Sequence, residues 1–83
     1  MAIFAMKTTR YFQMTRTRPD RATIQDSWIE QAIAKPEKRF VQADGRIRCW
    51  ARISEADGRC LRVVLLSDGE TVHNAFFDRG FVP

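Results

Sequence analysis

The stretch Arg46-Ile47-Arg48-Cys49-Trp50-Ala51-Arg52-Ile53 constrains this chain more than any other. Ile47, Cys49, Ala51 and Ile53 alternate with Arg46, Arg48, Trp50 and Arg52. Successive side chains on a strand point to opposite faces, so this alternation predicts a strand with one buried face. The second face is not merely polar. It carries three guanidiniums and an indole.

The punctuation around that stretch predicts a meander. Asp44-Gly45 and Asp68-Gly69 each sit between apolar alternating runs, a strong hairpin signal. They set strands over residues 38–43, 46–53, 59–66 and 70–77, with Ser54 to Gly58 as a longer loop. Upstream, residues 8–15 are rich in β-branched and aromatic types and read as a first strand. A basic connector, Arg16 to Arg21, is broken by Pro19.

Between the connector and the meander lies one helix. Ile24, Trp28, Ile29, Ala32 and Ile33 form a single apolar stripe. Thr23 is the expected N-cap, Asp26 suits the positive end of the helix dipole, and Pro36 ends the run at Lys35. So short a helix needs a sheet to dock on, and Trp28 belongs to the core. The expected fold is α+β: one main helix packed on a four-stranded antiparallel sheet, a β-α-β-β-β meander; the strand ranges exceed that count by one, and the first strand is set at an edge.

Tight turns set strand register, so cross-strand neighbours follow from them. Pairing Ala43 with Arg46 sets Val41 opposite Arg48 and Arg39 opposite Trp50. Pairing Ser67 with Glu70 sets Val64 opposite His73, Arg62 opposite Ala75 and Leu61 opposite Phe76. Aligning the apolar faces sets Trp50 opposite Arg62 and Cys49 opposite Val63. The helix then covers Phe40, Ile47, Cys49, Ala51, Leu61, Val63, Leu65, Val72 and Phe76. Arg39, Arg48, Trp50, Arg52, Arg62, Val64 and His73 share the open face. Asn74 faces the core and needs a hydrogen-bond partner there, unless the last strand is one residue out of this register and His73 turns inward instead. Cys49 and Cys60 lie on opposite faces and form no disulfide. Asp78-Arg79 reads as an exposed turn with a local ion pair.

Length and charge bound the rest. With 83 residues the chain is one domain, its core running from about 8 to 79 and residues 1–7 outside it and disordered. The apolar tail at Phe81 and Val82 is expected to pack back on an edge. Lys and Arg outnumber Asp and Glu by 14 to 10, a net charge of +4 that suits nucleic acid, an acidic protein partner, or no partner in particular. Two cysteines and one histidine are too few for a disulfide scaffold or a zinc site, so no metal or cofactor is expected. The apolar start, Met1 to Met6, lacks a preceding basic region and meets Lys7 at once, which makes it a poor secretory signal. No run is long enough to span a membrane. The expected setting is cytoplasmic.

The open face suggests a chemistry. Arginine binds phosphate bidentately, and tryptophan stacks on bases. Arg39, Trp50 and Arg52 are therefore candidate nucleic-acid contacts. Histidine titrates near neutrality, at about 6.5, which suits acid–base work in 2′-hydroxyl-driven RNA cleavage. His73 is the candidate acid or base, with Arg48 and Arg62 as catalytic phosphate clamps stabilising the extra negative charge. The competing reading is a solvated face. Antiparallel sheets commonly turn polar side chains to water, and arginine stems can shield a tryptophan.

The chain also resembles a family. Pro19-Asp20-Arg21, Trp28 to Ile33, Lys35-Pro36-Glu37, Asp44-Gly45-Arg46 and Arg59-Cys60-Leu61-Arg62-Val63-Val64 carry the likeness. Their order resembles that of small bacterial proteins grouped loosely with the BrnT and RelE/ParE toxin superfamily. The resemblance implies an α+β fold with basic residues on an open sheet face, mRNA cleavage, and an antitoxin encoded alongside. Toxins of that superfamily often have two N-terminal helices, and only one good helix is legible here. A second functional class is a non-enzymatic interaction module, such as a homodimer built through an edge strand or the Phe81 tail.

Overall fold

A computed structural model of the chain describes residues 6–81. Helix α1 spans Arg10–Thr15 and helix α2 spans Asp26–Ala34. Four strands follow: β1 Lys38–Val41, β2 Ile47–Ile53, β3 Arg59–Leu65 and β4 Val72–Phe77. They form one antiparallel sheet in the order β1-β2-β3-β4. The α+β class and the helix on a four-stranded antiparallel sheet agree with the sequence reading.

The chain order does not. Residues 8–15 were expected as a strand, and most of that stretch is helix α1. Thr9 caps it, its hydroxyl accepting from the Phe12 N–H at 3.1 Å. Helical spacing then sets Phe12 and Thr15 on one buried face, and Thr15 donates its hydroxyl to the Phe12 carbonyl. Six residues cannot hold a helix alone, so the burial of Phe12 against the core anchors it. Aromatic and β-branched content is a weak preference that such an anchor overrides. Only Thr8 retains strand character, bridging Val72 in parallel. The N–H of Val72 donates to the Lys7 carbonyl, and the N–H of Thr9 donates to the Val72 carbonyl. Met6 packs on the core and Lys7 pairs with Glu70, so these two residues are ordered. Residues 1–5, for which disorder was expected, lie outside the described residues.

Helix α2 matches its predicted stripe. Trp28, Ile29 and Ala32 are buried on it, Ile24 is buried just before it, and Ile33 packs at the rim. It starts later than expected: Gln25, not Thr23, holds the N-cap position and makes no side-chain cap. The helix lies over β2 and β3, while α1 lies against β4. Their apolar faces meet Ile47, Cys49, Ala51, Ile53, Leu61, Val63, Leu65, Val72 and Ala75 on the sheet. Among the described residues no helix is long and apolar enough to cross a membrane.

Two registers differ from the expected ones. Gln42 donates its N–H to the Arg46 carbonyl, so the first loop is Ala43-Asp44-Gly45, one residue longer than a two-residue turn. Gly45 closes it at φ +91°, a conformation that favours glycine. The extra residue shifts the pairing, so Phe40 faces Arg48 and Arg39 faces Cys49. A one-residue shift flips side chains to the other face. Phe40 therefore moves to the open face, and Arg39 leaves it.

In the second hairpin the expected pairing holds at the turn, with Leu65 opposite Val72. A bulge between Val64 and Leu65 then shifts the rest. Val64 faces Asn74, Arg62 faces Phe76 and Leu61 faces Phe77. His73 becomes the extra residue. Asn74 and Phe76 join the open face, and Phe77 turns toward Trp28 on the core side. The β2–β3 pairing is as expected, with Cys49 opposite Val63 and Trp50 opposite Arg62. Cys49 and Cys60 are both free thiols.

Candidate nucleic-acid interface

The open face is built around Trp50. Strand alternation turns its indole away from the helices, yet only 7% of the residue is exposed. The chain after β4 covers it. Asp78 continues the ladder, its N–H donating to the Cys60 carbonyl at 2.8 Å, and its side chain emerges beside Trp50. The indole N–H donates to Asp78 Oδ2 at 3.0 Å. Phe81 then stacks on the indole, with ring centroids 5.2 Å apart and planes 18° from parallel. Asp78 is therefore not in an exposed turn. The tail packs on the sheet face and not on an edge. Val82, expected to pack with Phe81, lies outside the described residues.

Asp78 is held ionised. The Trp50 hydrogen bond lowers its pKa most, burial opposes that shift, and the Gly80 N–H and Arg62 add to it. Arg62 approaches the same oxygen at 3.6 Å and lies over two rings, 5.7 Å from the Trp50 centroid and 5.1 Å from that of Phe76. One carboxylate thus accepts from the indole and pairs with the guanidinium of the central cross-strand pair, whose Nε is buried without a hydrogen-bond partner among the described residues.

Beside this centre runs a groove of about 460 Å³ lined by Lys38, Phe40, Arg48, Trp50, Arg62, Asp78, Gly80 and Phe81. Arg48 donates through Nε to Gln42 Oε1 at 2.7 Å, and its guanidinium carbon lies 5.9 Å from the Phe40 ring centroid. Phe40 is 51% exposed, which makes it the accessible aromatic of the face in place of Trp50. Arg52 stands at the rim, 3.6 Å from Glu37.

The sequence-derived candidates are thus only partly assembled. Arg48, Trp50 and Arg62 share the face as expected, with Arg52 at its edge. Arg39 does not, because the three-residue loop turns it to the side of Cys49. His73 sits at the bulge, where Nδ1 lies 3.1 Å from the Thr9 hydroxyl and its ring stacks on Tyr11 at 4.8 Å. Asn74, expected in the core, takes the position opposite Val64 foreseen for His73. Its Oδ1 accepts from Arg21 Nη1 at 2.6 Å.

Sequence reading missed Asp78, Phe81, Phe40 and Arg21. A usable signal existed for one of them. Asp78 follows Phe76 by two residues, so a correct β4 register would have set it on the Arg62 face. The chain matches no protein-family model, no curated protein and no solved structure.

Proposed function

We propose that this chain is a small RNA-binding domain whose single-stranded ligand lies in the groove beside Trp50. The observation that carries this reading is Phe40. A half-exposed aromatic ring lies against Arg48 inside a groove that also presents Lys38 and Arg62. A base stacks on such a ring irrespective of its identity, while the flanking cations take the phosphates. Base stacking contributes about 1–3 kcal/mol per base, so Phe40→Ala weakens binding roughly 5- to 150-fold.

Metal-independent cleavage in the manner of a toxin is the more demanding form of the same reading. It needs an acid or base beside the bound phosphate. His73 is engaged with Thr9 and Tyr11, so the geometry favours binding over cleavage. Fluorescence anisotropy with labelled single-stranded RNA at low salt tests the reading. Saturable binding by the wild type and its loss in Phe40→Ala and Arg48→Ala are expected. No binding by the wild type, or an unchanged affinity in Phe40→Ala, refutes it. Incubating the same RNA with wild type and His73→Ala separates the two forms, because only a nuclease leaves His73-dependent fragments.

A protein-interaction module is the second reading, favoured by the edge of the sheet. Among the described residues no strand pairs with the outer side of β1, and Phe40 and Val41 are half-exposed there. Lys38 and Arg39 on that edge suit an acidic extended segment, such as an antitoxin would supply, better than a second copy of this chain. Anisotropy with a labelled acidic extended peptide and with single-stranded RNA discriminates: saturable binding of the peptide with none of the RNA favours this reading, and the converse refutes it.

A further inference from the structure

The groove beside Trp50 is the first of three cavities that share walls. Asp78 and Phe81 also line a second cavity of about 290 Å³, at the far side of the tail, together with Arg52, Arg59 and Arg79. Arg59 and Arg79 in turn line a third, of about 460 Å³, whose opposite wall is Arg21 from the connection between α1 and α2. The series passes from the open face of β1–β3 around the end of the sheet to the outer side of β4.

Charge is concentrated along this series. Its cations are Lys38, Arg48, Arg62, Arg52, Arg59, Arg79 and Arg21. Its carboxylates are Asp78 and Asp20, with Glu37 close by through its pair with Arg52. Seven cations against three carboxylates leave a net of +4, which equals the excess of the whole chain. The rest of the molecule is therefore balanced, with seven cations and seven carboxylates. A basic excess serving only solubility has no reason to collect on one path.

Aromatic rings alternate with these guanidiniums. Arg62 and Arg21 both lie over Phe76, at 5.1 and 5.3 Å from its centroid. Arg59 lies over Phe77 at 4.0 Å, a contact that holds its guanidinium at the shared wall of the second and third cavities. Guanidiniums held flat over rings present planes on which unpaired bases stack, while neighbouring cations take the phosphates; an unpaired strand can use both, since its bases are free to splay. A stiff duplex could not bend around the sheet end through separate cavities.

We propose that the RNA path continues past Phe81, so that one single strand several nucleotides long runs from Lys38 and Arg48 over Arg62 and on between Arg52, Arg59, Arg79 and Arg21. This rests on the RNA-binding reading above and adds the ligand's strandedness, its direction of travel and a second set of phosphate contacts. Arg79 is the residue to test, because it is exposed and lines both distal cavities.

Binding is measured by anisotropy against salt, using labelled oligouridylates of about 4 and about 12 nucleotides, which bracket common single-strand site sizes. The longer oligomer is expected to bind the wild type at least tenfold more tightly. Arg79→Ala is expected to weaken the longer one several-fold and to reduce its log–log salt slope by about 0.7, the value for one phosphate on a single strand. The loss for the shorter oligomer is expected to be smaller than for the longer one. Arg59→Ala, checked by its circular dichroism to be folded, should act in the same direction. Wild-type binding with no length dependence, or with neither variant affecting the longer oligomer, overturns the extended path and leaves the groove reading intact. Equal affinity for a duplex of the same length overturns the single-strand assignment. Absence of any RNA binding removes the underlying reading itself.

Discussion

Replacing Asp78 by alanine is expected to destabilise the fold far more than its position near the C-terminus suggests. In the native state Asp78 Oδ2 accepts the Trp50 indole N–H at 3.0 Å and faces Arg62 Nη1 at 3.6 Å. Trp50 is 7% exposed, so its N–H has little access to water once the acceptor is gone. Leaving a buried donor unsatisfied costs about 1–3 kcal/mol. The Arg62 pair is partly solvated, with side chains 23% and 19% exposed, and adds less than about 1 kcal/mol. The expected loss is therefore about 1–4 kcal/mol, a drop in Tm of roughly 4–30 °C for a domain of this size. Asp78→Asn keeps an acceptor for the indole and loses only the charge, so it should cost about 1 kcal/mol. Guanidinium unfolding followed by circular dichroism and tryptophan emission reads both variants. If Asp78→Ala lies within about 0.5 kcal/mol of wild type, a typical surface effect, the Asp78 clamp on Trp50 is not the interaction described here.

Two further outcomes follow from other parts of the fold. Phe12→Ala should cost about 3–5 kcal/mol, the usual range for an emptied aromatic core site, because Phe12 is 2% exposed and anchors α1; a near-neutral effect in chemical denaturation would mean that α1 is not docked. Acidification should destabilise the protein as pH falls from about 4 to about 2, read as a declining Tm. Hydrogen bonds from the Thr71 hydroxyl and from the Thr71 and Glu70 amides hold Asp68 down at about 2, below the usual carboxylate value. Asp78 is lowered as well, chiefly by Trp50. A depressed native pKa means that the unfolded chain binds more protons in that window, so stability rises with pH there and is lost on acidification. Asp68→Asn should flatten part of that slope, and an unchanged slope would refute the assignment.

Much of the fold was legible because it depends on local pattern. The alternation of Ile47 to Ile53, the Asp-Gly turns and the apolar stripe of α2 each act over a few residues, and burial enforces them. The Trp50–Arg62 and Cys49–Val63 pairs followed from matching apolar faces alone. The site was less legible because it depends on register, which a single residue resets. One extra loop residue at Ala43 exchanged Arg39 for Phe40 on the open face. One bulged residue turned His73 toward Thr9 and set Asn74 opposite Val64.

By itself, then, the sequence determined that a helix would cover one side of an antiparallel sheet and that arginines would crowd the other. Hydrophobic periodicity and turn chemistry are properties of the chain, and they suffice for that much. Only the tertiary structure decided which arginines meet, that Phe81 and Asp78 close over Trp50, and that residues 10–15 coil into a helix. Those outcomes rest on contacts between residues far apart in the chain, where the burial of one ring or the satisfaction of one indole N–H outweighs local preference.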